Sequence, residues 1–477
     1  MVFSSEIFLF AFLPLVLVVY FAAPGALAKN LVLVLASLAF YAWGEGRFVA
    51  LVLFSALVNY GFALVLGRME GGATRQRRLL LAAAIATDLA ILGWFKYAGF
   101  LADNLNFVLG NTIGRNVALS QIYLPLGISF FTFHALSYVI DVYRRTNAPR
   151  RNPLDVVLYF VFFPQLIAGP IVRYKDVAAQ LGRRTVTSAL FAEGARRFVV
   201  GLAKKVLIAN TLGGTVDVVF AAPIATITTP LAWFAISAYA LQIYYDFSGY
   251  SDMAIGLARM FGFRFLENFD FPYVSGSITE FWRRWHISLS RWFRDYLYIP
   301  LGGNRVTPWR VYANLLVVFF LCALWHGAKW TFVAWGLIHG TFLVIERAGW
   351  LRRVTLTPVL RHVYALGVVL FAWIFFRADS FPQALAFLTA LVAPTPARTL
   401  GFDQVADNVT LLAFALGCFF ATPAASRAVE TLLQSRAPMA RIAAGSFAVP
   451  AALVVLFAAS TVKFAAGTYN PFIYFRF

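Results

Sequence analysis

The sequence predicts an all-α polytopic integral membrane protein of about eleven transmembrane helices, with re-entrant and interfacial helices between them. Three observations carry that expectation. Of the 477 residues, 61% are hydrophobic and 13% charged, and mean hydropathy is +0.74, outside the balance of a water-soluble domain. Apolar runs at 7–23, 48–66, 361–376 and 448–462 approach or reach the roughly 20 residues that cross a hydrocarbon core of about 30 Å. The 40 basic residues against 21 acidic ones give a net charge of +19, but they cluster between apolar runs, at 68–78, 144–151 and 347–353. That is the distribution of cytoplasmic loops, so the charge points to membrane lipids as partners and not to nucleic acid.

Taken in order, the first apolar run lacks a basic leader and an evident cleavage site, and reads as a retained helix. Counting crossings from the basic clusters puts Met1 outside, the loop after Tyr20 inside and Glu45 to Arg47 outside. The loops at Arg75 to Arg78 and Arg144 to Arg151 then face the cytoplasm. No hydrophilic stretch is long enough for a separate soluble domain and no fixed-period repeat is visible, so residues 1–477 read as a single membrane domain. From Arg173 to Lys205, basic residues mix with apolar ones three and four apart, which suits either a helix lying on the membrane surface or a solvated loop.

The segment from about 279 to 299 reads as an interfacial helix. On a wheel of about 100° per residue, Trp282, Trp285, His286, Leu289, Trp292, Phe293, Tyr296 and Leu297 share one arc. Arg283, Arg284, Arg291, Arg294 and Asp295 fall opposite, Thr279 is the expected N-cap, and Pro300, Gly302 and Gly303 close the element. The apolar run that follows is too long for one straight helix across a bilayer. Its polar interruption, His326-Gly327-Ala328-Lys329, predicts a helix break at about 326–329, tolerated at membrane depth where the freed backbone lines protein or a watery cavity.

An ionisable side chain at such depth is costly and is by default a site candidate. The His326 imidazole either bonds a carbonyl freed by the break and locks two helices, or acts as a general base toward an incoming hydroxyl. His286 lies on the aromatic arc and not with the arginines, so it points inward, as a headgroup-level histidine or as a site residue. His339, near Gly336 and Gly340, reads as a packing residue, and His134 and His362 are weaker candidates still. Cys322 precedes His326 by four residues and on a continuous helix would share its face, yet a lone cysteine among Leu and Phe is usually a small hydrophobe. Asp246 and Asp252, in an otherwise apolar stretch, could each orient a histidine or pair with a basic residue. Two cysteines, Cys322 and Cys418, give no disulfide framework, and there is no metal-ligand spacing and no phosphate-binding glycine loop.

Several blocks carry a resemblance: "YFVFFPQLIAGPIVRY" at 159–174, "YYDFSGYSDMAIG" at 244–256, "ENFDFPY" at 267–273, "FWRRWHISLSRWFRDYLYIPLGGNR" at 281–305 and "LWHGAKWTFVAWGLIHG" at 324–340. With the opening "MVFSSEIFLFAFLPL" and the terminal "NPFIYFRF" at 470–477, they span nearly the whole chain. The sequence resembles the membrane-bound O-acyltransferase superfamily, and within it the bacterial branch whose members acylate alginate and teichoic acid. The resemblance implies an enzyme with a ring of tilted helices around a thin centre pierced by a tunnel. It implies His326, in "LWHG", as the catalytic residue and His286, in "RWHISLS", as the second.

It further implies an acetyl group taken from acetyl-CoA on the cytoplasmic side and delivered across the bacterial inner membrane to an exopolysaccharide, alginate-type above others. Periplasmic acetyltransferase or carrier subunits would finish the transfer, and no bound cofactor is implied. Cellulose, peptidoglycan and teichoic acid are alternative acceptors. Arg283, Arg284 and Arg291 would then meet either the phosphates of CoA or anionic lipid headgroups. A transporter or flippase with a histidine proton relay is the competing class, but inverted repeats should give two similar halves, which the sequence does not show.

Overall fold

The computed structural model describes residues 1–69, 74–354, 356–392, 400–433 and 447–467. The terminal block at 470–477 and the centre of the 68–78 basic cluster lie outside the described residues. All regular elements among the described residues are helical. Five helical stretches, Gly25–Arg68, Arg75–Ile113, Ser188–Ala221, Pro308–His326 and Pro358–Arg377, are long and apolar enough to cross a membrane. Shorter apolar helices of 10–17 residues stand beside them, among them Ile128–Tyr143 and Val449–Ala465. The protein is a multi-pass membrane protein.

The chain forms two compact units, one of residues 1–194 and 257–266, the other of residues 195–256 and 267–477. In the first unit the apolar helices α1 (Gly25–Glu45), α2 (Val49–Arg68), α3 (Arg75–Leu92) and α4 (Ile128–Tyr143) pack with the N-terminal segment. Phe3, Phe8, Phe40 and Phe163 are fully buried against one another. Asn59 and Asp88 pair at depth, Asn59 Nδ2 donating to Asp88 Oδ1 at 2.8 Å between α2 and α3, since an unpaired polar group in an apolar interior is expensive. Arg184 donates to Asn30 Oδ1 at 2.6 Å, and Asn30 Nδ2 to Asp155 Oδ1 at 2.8 Å.

The second unit is built on α5 (Ser188–Ala203) from Ala195 onward, and on α6 (Thr229–Met260) as far as Gly256. The two backbones touch: a Cβ on Gly201 would lie 2.6 Å from the Gly249 carbonyl oxygen, and one on Gly249 2.7 Å from that of Gly201. This crossing is flanked by ion pairs. Lys205 meets Asp246 at 2.5 Å with both side chains almost wholly buried, and Asp252 is held by Lys204 at 2.6 Å and Arg197 at 2.8 Å.

The segment 279–299 is not the single helix that its apolar arc suggests. It consists of α7 (Ile278–Arg284), α8 (Ile287–Phe293) and a π-helical turn, Arg294–Tyr298. Trp285 is extended and His286 takes a left-handed conformation with φ +43°, because the chain on either side is paired with another strand of backbone. Asp270 N–H donates to Arg284 O and Ile287 N–H to Asn268 O, each at 2.9 Å. The N-cap is Ser277, whose hydroxyl accepts from Glu280 N–H at 3.0 Å, and not Thr279. The Thr279 N–H, the Ile278 N–H and the Thr279 hydroxyl all donate to the Glu346 carboxylate. The arc itself survives the break: Trp282, Trp285, His286, Leu289, Trp292, Phe293 and Tyr296 are buried, and Arg283, Arg291 and Arg294 are exposed. Asp295 departs from it, being buried and bonded to Arg294.

Next, α9 (Pro308–His326) and α10 (Trp330–Arg347) form an antiparallel hairpin, packed with α11 (Pro358–Arg377). On α9, Val318, Phe319, Cys322, Ala323, Trp325 and His326 are buried, while Val317, Phe320 and Leu321 are exposed, as on a helix with one face to lipid. Gly336 and Gly340, four apart on α10, let it approach α9 closely. A Cβ on Gly336 would stand 2.5 Å from the Phe319 carbonyl oxygen and 2.6 Å from the Ala323 Cβ, whereas one on Gly367 of α11 meets nothing within 4 Å.

The two glycines therefore respond oppositely. Gly336→Ala should cost about 1–3 kcal/mol as the hairpin is forced apart, and Gly367→Ala should be neutral or gain about 0.5–1 kcal/mol. Thermal unfolding of the detergent-solubilised variants measures both, and equal melting temperatures would contradict the close crossing.

Candidate active site

His326 is the last residue of α9, where the helix ends in an extended Gly327 with φ −164°. Any residue can adopt that conformation, so glycine is required there for space: a Cβ on Gly327 would stand 2.4 Å from the Phe332 ring. After Gly327 the chain turns through Ala328 and Lys329 and re-enters helix at Trp330. Lys329 approaches Asp379 at 3.7 Å with both side chains exposed. The break thus leaves the imidazole buried and returns the chain to a polar rim.

One ring nitrogen of His326 is committed. Its Nδ1 lies 2.7 Å from the Cys322 carbonyl oxygen, which can only accept, so Nδ1 carries the proton and donates. That fixes the tautomer and leaves Nε2 as the basic nitrogen. The structural reading of the histidine concerns Nδ1, and the chemical reading would concern Nε2. The same bond removes Cys322 from consideration as a nucleophile: its Sγ is 3.8 Å from Nδ1, a nitrogen whose lone pair is not available to take the thiol proton.

Around His326 stand Trp325 and Trp335, each with its ring centroid 4.9 Å away, and Phe376 at 5.6 Å. His286 faces it, with the two imidazole centroids 6.4 Å apart. His286 is itself fully buried, with the Phe247 ring edge-on at 4.6 Å and its Nδ1 3.1 Å from Asn268 Oδ1. Its Nε2 is buried and has no hydrogen-bond partner among the described residues. The structure thus brings together two histidines forty residues apart in sequence, one at the end of a helix and one at a left-handed turn.

The remaining sequence candidates lie elsewhere. Asp246 and Asp252 do not orient a histidine: the first is in an ion pair with Lys205, the second with Lys204 and Arg197. The reason is electrostatic, since cations buried beside α6 need those carboxylates. Arg284 is bound by Asp270 and Glu280, each at 2.9 Å, while Arg283 and Arg291 are exposed. His339 is enclosed by Phe281, Trp282 and Trp335, with ring centroids at 5.3–5.9 Å. His134 packs on Tyr159 in the first unit, and His362 is half-buried. No group of three or more His, Cys, Asp or Glu side chains that could hold a metal ion occurs among the described residues.

Three residues that hold the centre or its flanking helix α7 were not singled out from sequence. Asn268, in "ENFDF", bonds His286, and Ser288 bonds Asn268. Glu346 holds the start of α7 from the far end of α10. A signal for Asn268 existed, an uncharged polar side chain in an aromatic stretch, but nothing local says which segment it will meet.

Residues 126–381, which include both histidines, match the membrane-bound O-acyltransferase family. The chain belongs to that family. It is 42% identical to a protein named probable alginate O-acetylase AlgI from Azotobacter vinelandii, and 43% identical to the protein of that name from Pseudomonas putida, each comparison covering the whole of both chains. It is 37% identical to a peptidoglycan O-acetyltransferase from Helicobacter pylori, over 82% of this chain and 80% of that one. The protein is thus an O-acyltransferase.

The commitment of the His326 Nδ1 proton has a direct consequence. Cys322→Ala should transfer acyl groups at near the wild-type rate, because the thiol has no base. Activity in membranes normalised to protein amount tests this, and a loss of a hundredfold or more would restore the cysteine as nucleophile.

Proposed function

We propose that this O-acyltransferase moves an acetyl group from cytoplasmic acetyl-CoA, a substrate and not a bound cofactor, to hydroxyl groups of an alginate-type exopolysaccharide. The names of the full-length relatives support the polymer. The single observation that carries the chemistry is the facing pair of buried imidazoles, His326 with Nδ1 committed as a donor. In this reading the protein sits in the bacterial inner membrane with about eleven crossings around a thin, tunnelled centre. Periplasmic acetyltransferase or carrier subunits complete delivery to the polymer.

The acceptor hydroxyl, on sugar or carrier, meets the two imidazoles. His326 Nε2 takes its proton as the oxygen attacks the thioester carbonyl. The carbon–sulfur bond then breaks, and the departing CoA sulfur takes the proton back from His326, which balances the step and regenerates the base. A thioester is already activated, so orientation and one base suffice, and the enzyme needs no covalent intermediate. His286 Nε2 accepts a hydrogen bond from a second donor on the acceptor molecule, beside the reacting hydroxyl, and so aligns it, because the one proton of the attacking hydroxyl goes to His326. Arg283 and Arg291, exposed beside this centre in sequence, are the guanidinium groups available to the phosphates of CoA, whereas Arg284 already serves Asp270 and Glu280.

Radiolabelled acetyl-CoA offered to the cytoplasmic face of membrane vesicles, with alginate and peptidoglycan compared as acceptors, tests the reading. His326→Ala and His326→Gln should each lower transfer by about 10²–10⁴ while leaving protein yield and melting temperature close to wild type. Near-normal transfer by His326→Gln, which keeps a hydrogen-bonding group but takes no proton, would show that the histidine is structural. Preferential labelling of peptidoglycan would move the acceptor to the class named for the Helicobacter pylori relative.

A further inference from the structure

His286 has the geometry of a residue held in place for a purpose. It is a non-glycine residue at φ +43°, a conformation that costs of order 1–3 kcal/mol and persists only where the surroundings enforce it. What enforces it is the segment 268–270, whose backbone brackets the histidine: Asn268 O accepts from Ile287 N–H, and Asp270 N–H donates to Arg284 O. This places the Asn268 side chain, 1% exposed, directly on the imidazole.

Every polar contact of that amide points one way. Asn268 Oδ1 faces the Ser288 backbone N–H at 3.2 Å, the Ser288 hydroxyl at 2.8 Å and His286 Nδ1 at 3.1 Å, and Asn268 Nδ2 donates to Ser251 Oγ at 2.9 Å. A backbone N–H can only donate, so the amide atom facing Ser288 N is oxygen. The atom facing His286 Nδ1 is that same oxygen, which can only accept. The Ser288 hydroxyl also lies 3.5 Å from Nδ1, but at 2.8 Å it donates to Asn268 Oδ1 instead, so the amide oxygen is the nearer partner of Nδ1 and His286 carries its proton there.

We propose that Asn268 is a positioning residue for acyl transfer: it locks His286 in the Nδ1–H tautomer and turns the basic Nε2 toward the reacting groups. The assignment deepens the reading of His286 as a site residue. Neutral imidazole in water interconverts between two tautomers, and an unanchored ring would present a donor at Nε2 for much of the time, leaving no lone pair for the second donor that aligns the acceptor molecule. Ser251 on α6 and Ser288 on α8 complete the clamp, and His326 is the titratable group that faces His286 across the centre. Partners that orient a metal-ligating histidine are commonly worth about 10- to 100-fold in activity, and the same scale is expected for a partner that orients a histidine acting on substrate.

Three measurements test the assignment. In protein carrying ¹⁵N-labelled histidine, with His286→Asn used to assign the resonance, His286 should show the Nδ1–H signature at neutral pH. Asn268→Leu should abolish that signature and lower kcat about 10- to 100-fold with little change in the KM for acetyl-CoA. Asn268→Asp keeps an acceptor at the same place and tests the idea if the leucine variant fails to fold. Its carboxylate favours the imidazolium, so His286 deprotonates at higher pH and the acid limb of the pH–rate profile should move upward while kcat at the plateau is retained. An Nε2–H signature in the wild type, normal turnover in Asn268→Leu, or an unshifted acid limb in Asn268→Asp would overturn the proposal. Because His326→Gln reports on the base itself, an inactive His326→Gln beside a fully active Asn268→Leu sinks the clamp and spares the acyltransferase mechanism.

Discussion

The hydrogen bond from His326 Nδ1 to the Cys322 carbonyl is the constraint on which the facing pair of histidines depends. It ties the imidazole to the last turn of its own helix, so the ring goes where α9 ends, and α9 ends where the Phe332 ring covers Gly327 and the chain turns back. The close crossing of α9 and α10 at Gly336 then sets Trp335 against the histidine. Opposite, the paired backbone of 268–270 and 284–287 forces His286 into its left-handed turn. Two interruptions of helix therefore meet, and they bring two imidazoles face to face within a chain of apolar helices.

The charged residues near this centre follow a separate logic. Lys204, Lys205 and Arg197 are brought into α6 by the contact of Gly201 with Gly249, and Asp246 and Asp252 are consumed in pairing with them. Removing one partner of such a buried pair would leave an uncompensated charge, commonly a loss of about 3–5 kcal/mol. The histidines are consequently oriented by uncharged partners, a carbonyl for His326 and an amide for His286. An uncharged partner holds the tautomer without favouring the imidazolium, which is what the proposed general-base chemistry needs.

Much of this was legible in the sequence. Hydropathy gave the membrane class, the His-Gly-Ala-Lys interruption gave the end of α9, and the apolar arc of 282–297 gave the buried face, because burial pattern and breaks are local properties of the chain. The break inside that arc was not legible. Helical periodicity continues through Trp285 and His286, and only the pairing with residues 268–270 overrides it. The same limit hid the choice of N-cap, decided by Glu346 some 68 positions away from Ile278. It also hid the choice between aspartate and asparagine as orienting group, which turns on where the buried lysines lie.

Electron cryomicroscopy of the protein with a non-reacting thioether analogue of acetyl-CoA should place the analogue's carbonyl carbon beside both imidazoles. His286 Nε2 and His326 Nε2 should turn toward it, with both Nδ1 atoms still on Asn268 and the Cys322 carbonyl. Density that put the carbonyl against Cys322 Sγ, or in a cavity apart from the two histidines while their Nε2 atoms bonded only protein, would contradict it.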